Sequence, residues 1–219
     1  MDLAPRQPVP VFPLPDLVLF PCAVVKLHVF ELRYRAMVRD ALSADRLIAL
    51  ALLLPGWERD YHGSPEYHPI GCLARLDVVD WRPDDCYDLW VTGLSRVRFE
   101  RPSREYPYRA ARVSLVRQEP VDDDDPLVQM ERRTLEDAYR RLPEARWISL
   151  DPRGTLHDAE KRSSFEGYVN AVCLGLPLTP REKLELLELD SVLERSRRAR
   201  ERIEAALRRP QVKREGDQN

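Results

Sequence analysis

A chain of 219 residues with a formal charge of −2, 33% charged and 43% hydrophobic residues, can hold one large or two small domains with real cores. It carries no global field that would select nucleic acid or an anionic membrane. The four cysteines, Cys22, Cys72, Cys86 and Cys173, form no CxxC pair, which argues for free thiols in a reducing compartment and against a disulfide framework.

The opening "MDLAPRQPVP" has neither a basic start nor an apolar run, so no signal peptide is expected. No apolar stretch approaches the ~20 residues of a membrane span. The expectation is a soluble, cytoplasmic protein with no membrane partner.

Residues 1–116 read as a β-rich domain. The apolar runs "VPVF", "DLVLF", "AVVKLHV", "RLIALALLL", "IGCLARLDVVDW", "YDLWVTGLSRVRFE" and "YRAARVSLV" have the length and partial alternation of half-buried antiparallel strands. Pro13, Pro15 and Pro21 restrict the backbone and remove donors, so they are expected to separate short strands. One helix interrupts the series. "ELRYRAMVRDAL" puts Leu32, Ala36, Met37, Asp40 and Ala41 at helical spacing, with Arg33, Arg35 and Arg39 toward water. Repeated short strands between Pro, Gly and Asp turns predict a sandwich or barrel-like sheet.

"RQEPVDDDDP", residues 117–126, reads as an acidic linker, and Asp125-Pro126 as a helix start. The acid run lacks the alternating spacing, turn glycine and distal Glu of a calcium loop. Residues 127–209 then follow a 3.6 period. "PLVQMERRTLEDAYRRL" aligns Leu127, Met130, Leu135, Ala138, Tyr139 and Leu142. Ser163 with Glu166, Thr179 with Glu182, and Ser191 with Glu194 have capping-box spacing. The last helix aligns Val192, Ser196, Ala199, Ile203 and Leu207, and the tail 210–219 is expected to be disordered.

Catalytic motifs are missing. There is no GxxxxGK[ST], HExxH or GxSxG, and no spacing ties Ser, His and Asp into a triad. His62, His68 and Cys72 are the nearest approach to a metal set, but they lack a fourth ligand and paired short spacings. They are read as two exposed loop histidines and a buried thiol. Arg195, Arg197, Arg198, Arg200 and Arg202 could meet phosphates. Interleaved Glu194, Glu201 and Glu204 favour a solvated helix face of intrahelical pairs. The loop 54–69 carries Trp57, Tyr61 and Tyr67; such aromatics either fold back as a lid or meet a partner.

"FPLPDLVLFPCAVVKLHVFELRYRAMV" resembles the start of the Lon substrate-binding domain, the N-terminal domain of Lon proteases that also occurs alone. That family reads "LFPG", an apolar strand, then "P-L-H-I-F-E-P-R-Y" into a helix. Phe20, Pro21, Leu27, His28, Val29, Phe30, Glu31, Arg33 and Tyr34 match it. So do "IGCLARL" with Gly71, "VTGLSRVRF" with Gly93 and Arg96, and the helical tail "LTPREKLELLELDSVLERSRR". Cys22 replaces the family's glycine after "FP", where a turn needs positive φ, and Lys26 and Leu32 replace prolines.

The resemblance implies an α+β fold: a PUA-like, partly closed β-barrel with one inserted helix, then a helical bundle. It implies recognition of protein substrates, with no ATPase module or Ser–Lys protease domain in the chain. The expected function is a non-catalytic module that binds unfolded or apolar protein segments, with no cofactor and no metal. It would act as an adaptor or modulator of proteolysis, with a separate protease as partner and with self-association. Trp57, Tyr61 and Tyr67 are the candidate peptide-binding residues. Glu31 and Arg33 are read as an ion pair that clamps the strand–helix junction, and the other motif residues as structural. The alternatives are an RNA-binding PUA-like barrel, with nucleic acid the less favoured partner, and a hydrolase whose groups converge in one pocket.

Overall fold

The structure is a computed structural model that describes residues 5, 7–60, 63–103, 106–142 and 163–208. The expectations for Tyr61, His62 and the tail 210–219 lie outside these residues. Six strands run β1 (Val9–Leu14), β2 (Val24–Val29), β3 (Leu47–Leu53), β4 (Tyr67–Trp81), β5 (Tyr87–Ser103) and β6 (Arg109–Leu115), with α1 (Leu32–Leu42) between β2 and β3. The helices α2 (Pro126–Arg140), α3 (Phe165–Gly175), α4 (Pro180–Glu188) and α5 (Val192–Arg208) follow. The mixed α+β class is as expected.

Pro15 and Pro21 lie between β1 and β2 as predicted, but Pro13, like Pro10, lies within β1. Pro10 pairs with Ala110 of β6 before the parallel pairing to β3 begins, and Pro13 pairs with Ala51 of β3 after the β6 pairing has ended. Each proline thus sits where β1 has one neighbour, and its missing N–H costs no ladder bond. "DLVLF" is not a strand. It crosses as an irregular segment that buries Val18, Leu19 and Phe20.

The sheet order is β2-β5-β4-β3-β1-β6, and a further β5–β6 pairing closes the last five strands into a ring with β2 left outside. β5 makes this possible by changing partner along its length. Tyr87–Thr92 pair with β2, whereas Val97–Ser103 pair with β6. Register shifts at Leu73/Ala74, Leu76/Val78 and Phe99/Pro102 supply the bends that closure needs.

Alternation then divides the ring into two apolar faces. One carries Val9, Val11, Ala49, Ala51, Leu73, Val97 and Ala111 in two small clusters. The other carries Phe12, Ile48, Leu50, Cys72, Ala74 and Ala110, which join a cluster that continues through Leu135, Phe165, Leu184 and Ile203 of the helices. β4 is therefore buried on both faces at Cys72–Ala74, and this blurs its period-two pattern.

Local signals set the helix starts. Asp125 Oδ1 accepts from the Leu127 N–H at 2.7 Å. Thr179 and Glu182 form the reciprocal capping box with Pro180 at the first turn, and Ser191 Oγ accepts from the Glu194 N–H at 3.4 Å. The cap of α3 is Ser164, one residue beyond the predicted Ser163. In α2 the buried side is Val128, Glu131, Leu135, Ala138 and Tyr139; Leu127 and Met130 are exposed, contrary to the predicted stripe.

Arg195 is the largest departure: it is fully buried, not part of a solvated face. Its guanidinium donates to the Leu186 carbonyl (3.0 Å), the Leu189 carbonyl (2.6 Å) and Asn170 Oδ1 (2.7 Å). Arg96 of β5, also buried, reaches the same helix end and donates to the carbonyls of Leu187 (3.2 Å), Glu188 (3.3 Å) and Arg117 (2.8 Å) and to Asp190 Oδ1 (2.9 Å).

Replacing Arg96 by Met strands these carbonyls and is expected to destabilise the fold by about 3 kcal/mol. Asp190→Asn touches a side chain that is 65% exposed and should cost under about 1 kcal/mol. Urea unfolding of both variants checks the contrast; equal losses would assign the stabilisation to the ion pair and not to the carbonyls.

Candidate peptide-binding surface

Parity along β2 separates two faces. Val25, Leu27 and Val29 turn toward the core, while Lys26 and His28 are exposed. Phe30 continues the outer parity: it is 60% exposed and stacks on His28 with centroids 6.1 Å apart. Leu32, predicted on the apolar side of α1, is 73% exposed, and the buried side of α1 is Tyr34, Met37, Val38 and Ala41. Asp40 also faces outward, where it accepts from the Tyr108 hydroxyl at 2.7 Å.

A groove of about 90 Å³ lies beside Phe30, lined by Phe12, Leu14, Pro15, Glu31 and Tyr34 among others. Phe12 and Tyr34 pack with centroids 4.6 Å apart to form its floor. Glu31 Oε2 accepts from Arg33 Nε at 3.0 Å, and Arg33 Nη1 donates to the Gly63 carbonyl at 3.2 Å, so charge frames the groove. The larger depressions, about 250 Å³ beside Asp123 and Arg132 and about 550 Å³ beside Glu194 and Arg198, are lined mainly by charged and polar side chains. The groove has the mostly apolar lining that suits apolar ligands.

The glycine motifs place this surface and do not form it. A Cβ on Gly93 would lie 2.1 Å from the Phe20 carbonyl oxygen, and one on Gly71 2.3 Å from that of Leu50. Gly93 exchanges backbone bonds with the turn at Phe20–Ala23, accepting from Cys22 at 2.8 Å and donating to Ala23 at 2.9 Å. Cys22 keeps the left-handed turn at φ 64° without glycine, a conformation that costs an L-residue about 1–2 kcal/mol. Phe20 and Pro21 are buried in the turn, and the buried Arg96 belongs to the helix contact described above.

Of the predicted aromatic trio, Trp57 and Tyr67 do not line the groove. Trp57 is half-buried in the short turn Trp57–Asp60. Tyr67 belongs to β4, not to the loop, and its ring meets Phe99 edge-on at 5.0 Å with the Arg109 guanidinium at 5.2 Å. Burial raises its hydroxyl pKa above the usual value. His68 is not an exposed loop histidine: it lies buried on β4, and no group of three or more potential ligands occurs among the described residues. Sequence reasoning placed Leu32 in the core and gave Phe30 a structural role. The polar parity of Lys26 and His28 is the signal that assigns Phe30 to the outside.

A mixed α+β chain with an open apolar groove at one end of its sheet is the class these features define. The profile described as the ATP-dependent protease La (LON) substrate-binding domain matches residues 8–205, and the chain belongs to that family. It is 28% identical to Lon protease 2 of Herpetosiphon aurantiacus over 86% of this chain and 23% of that protein. It is 33% identical to Lon protease 2 of Myxococcus xanthus over 50% of this chain and 13% of that one. The chain thus spans less than a quarter of the length of these relatives.

Two solved structures share the fold. A Lon N-terminal domain protein from Xanthomonas campestris has a TM-score of 0.58 at 26% identity, covering 86% of this chain and 94% of that one. The N-terminal domain of the Mycobacterium avium complex Lon protease has a TM-score of 0.61 at 18% identity, covering 90% and 98%. No helix among the described residues is long and apolar enough to cross a membrane.

His68 gives a pH signature of the sheet–helix contact. Burial, and next the charge of Arg181, lower its pKa below the ordinary 6.5, against the opposing Glu188. The unfolded chain therefore binds the proton more readily. The contribution is intact above pH 6.5 and is lost as pH falls below it. Chemical denaturation should show stability declining from pH 7 to pH 5.5, with a shallower decline in His68→Gln; identical slopes would remove His68 as the cause.

Proposed function

We propose that this chain is a non-catalytic module that holds exposed apolar segments of unfolded proteins at the groove between β1 and β2. The observation that carries this reading is the pair of uncovered side chains, Phe30 and Leu32, beside a small apolar groove, in a chain of the Lon substrate-binding family. Uncovered large apolar side chains at a groove mark an interaction site. On this reading the ring of strands is the PUA-like barrel, the later helices are a bundle that braces it, and the role is that of an adaptor or modulator of proteolysis with a separate protease.

A non-enzymatic role is supported by the two most deeply buried thiols. Cys72 and Cys173 are buried thiols, the latter with its pKa pushed up to about 12, which removes them as thiolate nucleophiles. Free cysteines suit the cytoplasm. The RNA alternative takes second place, because Arg198, Arg200 and Arg202 of α5 meet acids within the chain. Arg198 pairs with Glu201 at 3.2 Å, Arg200 with Glu204 at 3.2 Å and Arg202 with Glu182 at 3.0 Å.

The decisive experiment measures affinity for a reduced, alkylated model protein in the Phe30→Ser/Leu32→Ser variant. Loss of their burial against a client should weaken binding by about tenfold or more with an unchanged melting temperature. The Trp57/Tyr61/Tyr67 triple alanine variant tests those residues as a second patch; binding weakened only in step with stability would make them packing residues. Unchanged affinity in the Phe30/Leu32 variant would defeat the groove. A lysate pull-down with and without RNase separates protein from RNA as the bound fraction.

The division at 116 and 126 is also a proposal. The acid run is exposed but tied, since Asp123 Oδ1 accepts from the Phe165 N–H at 3.1 Å and Glu119 N–H donates to Asp190 O at 3.2 Å. Limited proteolysis should cut first within 117–126 or after Arg209, and after the internal cut the halves should co-elute, because one apolar cluster spans both. A first cut in a β-domain loop would displace these boundaries.

A further inference from the structure

An edge strand presents unpaired peptide groups until something pairs with them. β2 ends the sheet, pairs with β5 alone, and among the described residues Val24–Val29 make no other backbone hydrogen bond. Every second residue of such a strand turns its N–H and C=O outward. We infer that client segments are held on this edge as an added β-strand whose residues alternate between acidic and apolar.

The alternation follows from the two faces of β2. On the outer face Lys26, His28 and Arg82 share one carboxylate, Asp88, at 3.4, 2.8 and 3.9 Å. Hydrogen bonding from His28, first among the causes, holds that carboxyl below its usual pKa. Asp80 is the next acid on this face, one strand further in, opposite Asp88. The free edge itself therefore presents the Lys26 ammonium, and a carboxylate on the incoming strand meets it. On the inner face the half-buried Val25 and Leu27 and the buried Val29 extend toward the neighbouring strand position, where an apolar side chain continues their surface.

A second copy of the chain fits this edge poorly. A two-fold antiparallel β2–β2 pairing keeps each residue on its own face. In one of the two registers that pair most of the strand, Lys26 then stands opposite Lys26 of the other copy. Like charges directly opposite are destabilising. The occupant is a client segment, and this assignment rests on the protein-binding reading above.

The test titrates a fluorescent peptide of alternating valine and glutamate into the full chain by anisotropy, beside a valine–lysine peptide and a scrambled valine–glutamate peptide. Peptides carrying one N-methylated amide at successive positions complete the set. The alternating valine–glutamate peptide should bind about tenfold more tightly than the valine–lysine peptide. N-methylation should weaken it at every second position, and Lys26→Glu should reverse the preference. N-methyl penalties without period two, no reversal in a folded Lys26→Glu variant, or a dimer that the peptide dissociates would each overturn strand addition. If the peptides fail while the reduced, alkylated protein still binds, strand addition is wrong and the protein-binding reading stands. If that protein also fails to bind, the broader reading falls with it.

Discussion

Two buried guanidinium groups meet at the C-terminal end of one helix, and the relation of the sheet to the helices depends on that meeting. The last carbonyls of a helix have no partner within it and carry a partial negative charge. In α4 those carbonyls are taken by Arg96 from the sheet and Arg195 from α5. Arg96 also stands where β5 changes partner, between the residues paired with β2 and those paired with β6. Its own carbonyl accepts from Val116 at 2.9 Å, just after β6. The residue that docks the helices thus also fixes the place at which the ring closes.

Burial of two like charges would be unfavourable without this arrangement. Arg195 donates to no carboxylate; two carbonyls and an amide oxygen satisfy it, and burial lowers its pKa, with the nearby Arg96 acting in the same direction. Buried ion pairs often contribute little net stability, whereas stripping one partner from a buried charge is costly. The pair therefore acts chiefly as a constraint of position. Hydrophobic burial in the shared cluster supplies the main driving force, and the two arginines determine which helix end meets which strand.

What was legible in the sequence depended on whether a signal was local. Thr179, Pro180 and Glu182 specify a helix start among themselves, and the structure has that capping box. Most strand runs were legible for the same reason. Pro13 argued for interruption, yet it is tolerated within β1 because the strand has a single neighbour there, a fact of long-range pairing that no local pattern contains. Arg195 sits among exposed charges at helical spacing, so composition hides its burial. Leu32 looks like a core residue by periodicity, but the face of α1 that packs is set by Tyr34 and Met37. The candidate site was half visible. The motif pointed to this segment, while the exposure of Phe30 and Leu32 depends on where the chain turns between β2 and α1.

Ring closure also bears on the edge proposed to hold clients. Pairing β6 with β5 removes an edge that an open sheet would expose. Open stretches still remain among the described residues, on β4 and on β2 as well as at the end of β1. Beyond Arg75, β4 has no β3 partner, and Arg46 is laid across its start: it accepts from the Leu76 N–H at 2.8 Å and donates from its side chain to the Leu76 carbonyl at 2.9 Å. Among the described residues β2 has no such cover, only Lys26 at mid-strand, the type of single charge that discourages self-pairing without blocking an oppositely charged strand. An edge left open beside exposed Phe30 and Leu32 combines backbone donors and acceptors with apolar surface. That combination matches an unfolded chain, which offers extended backbone and exposed apolar side chains together.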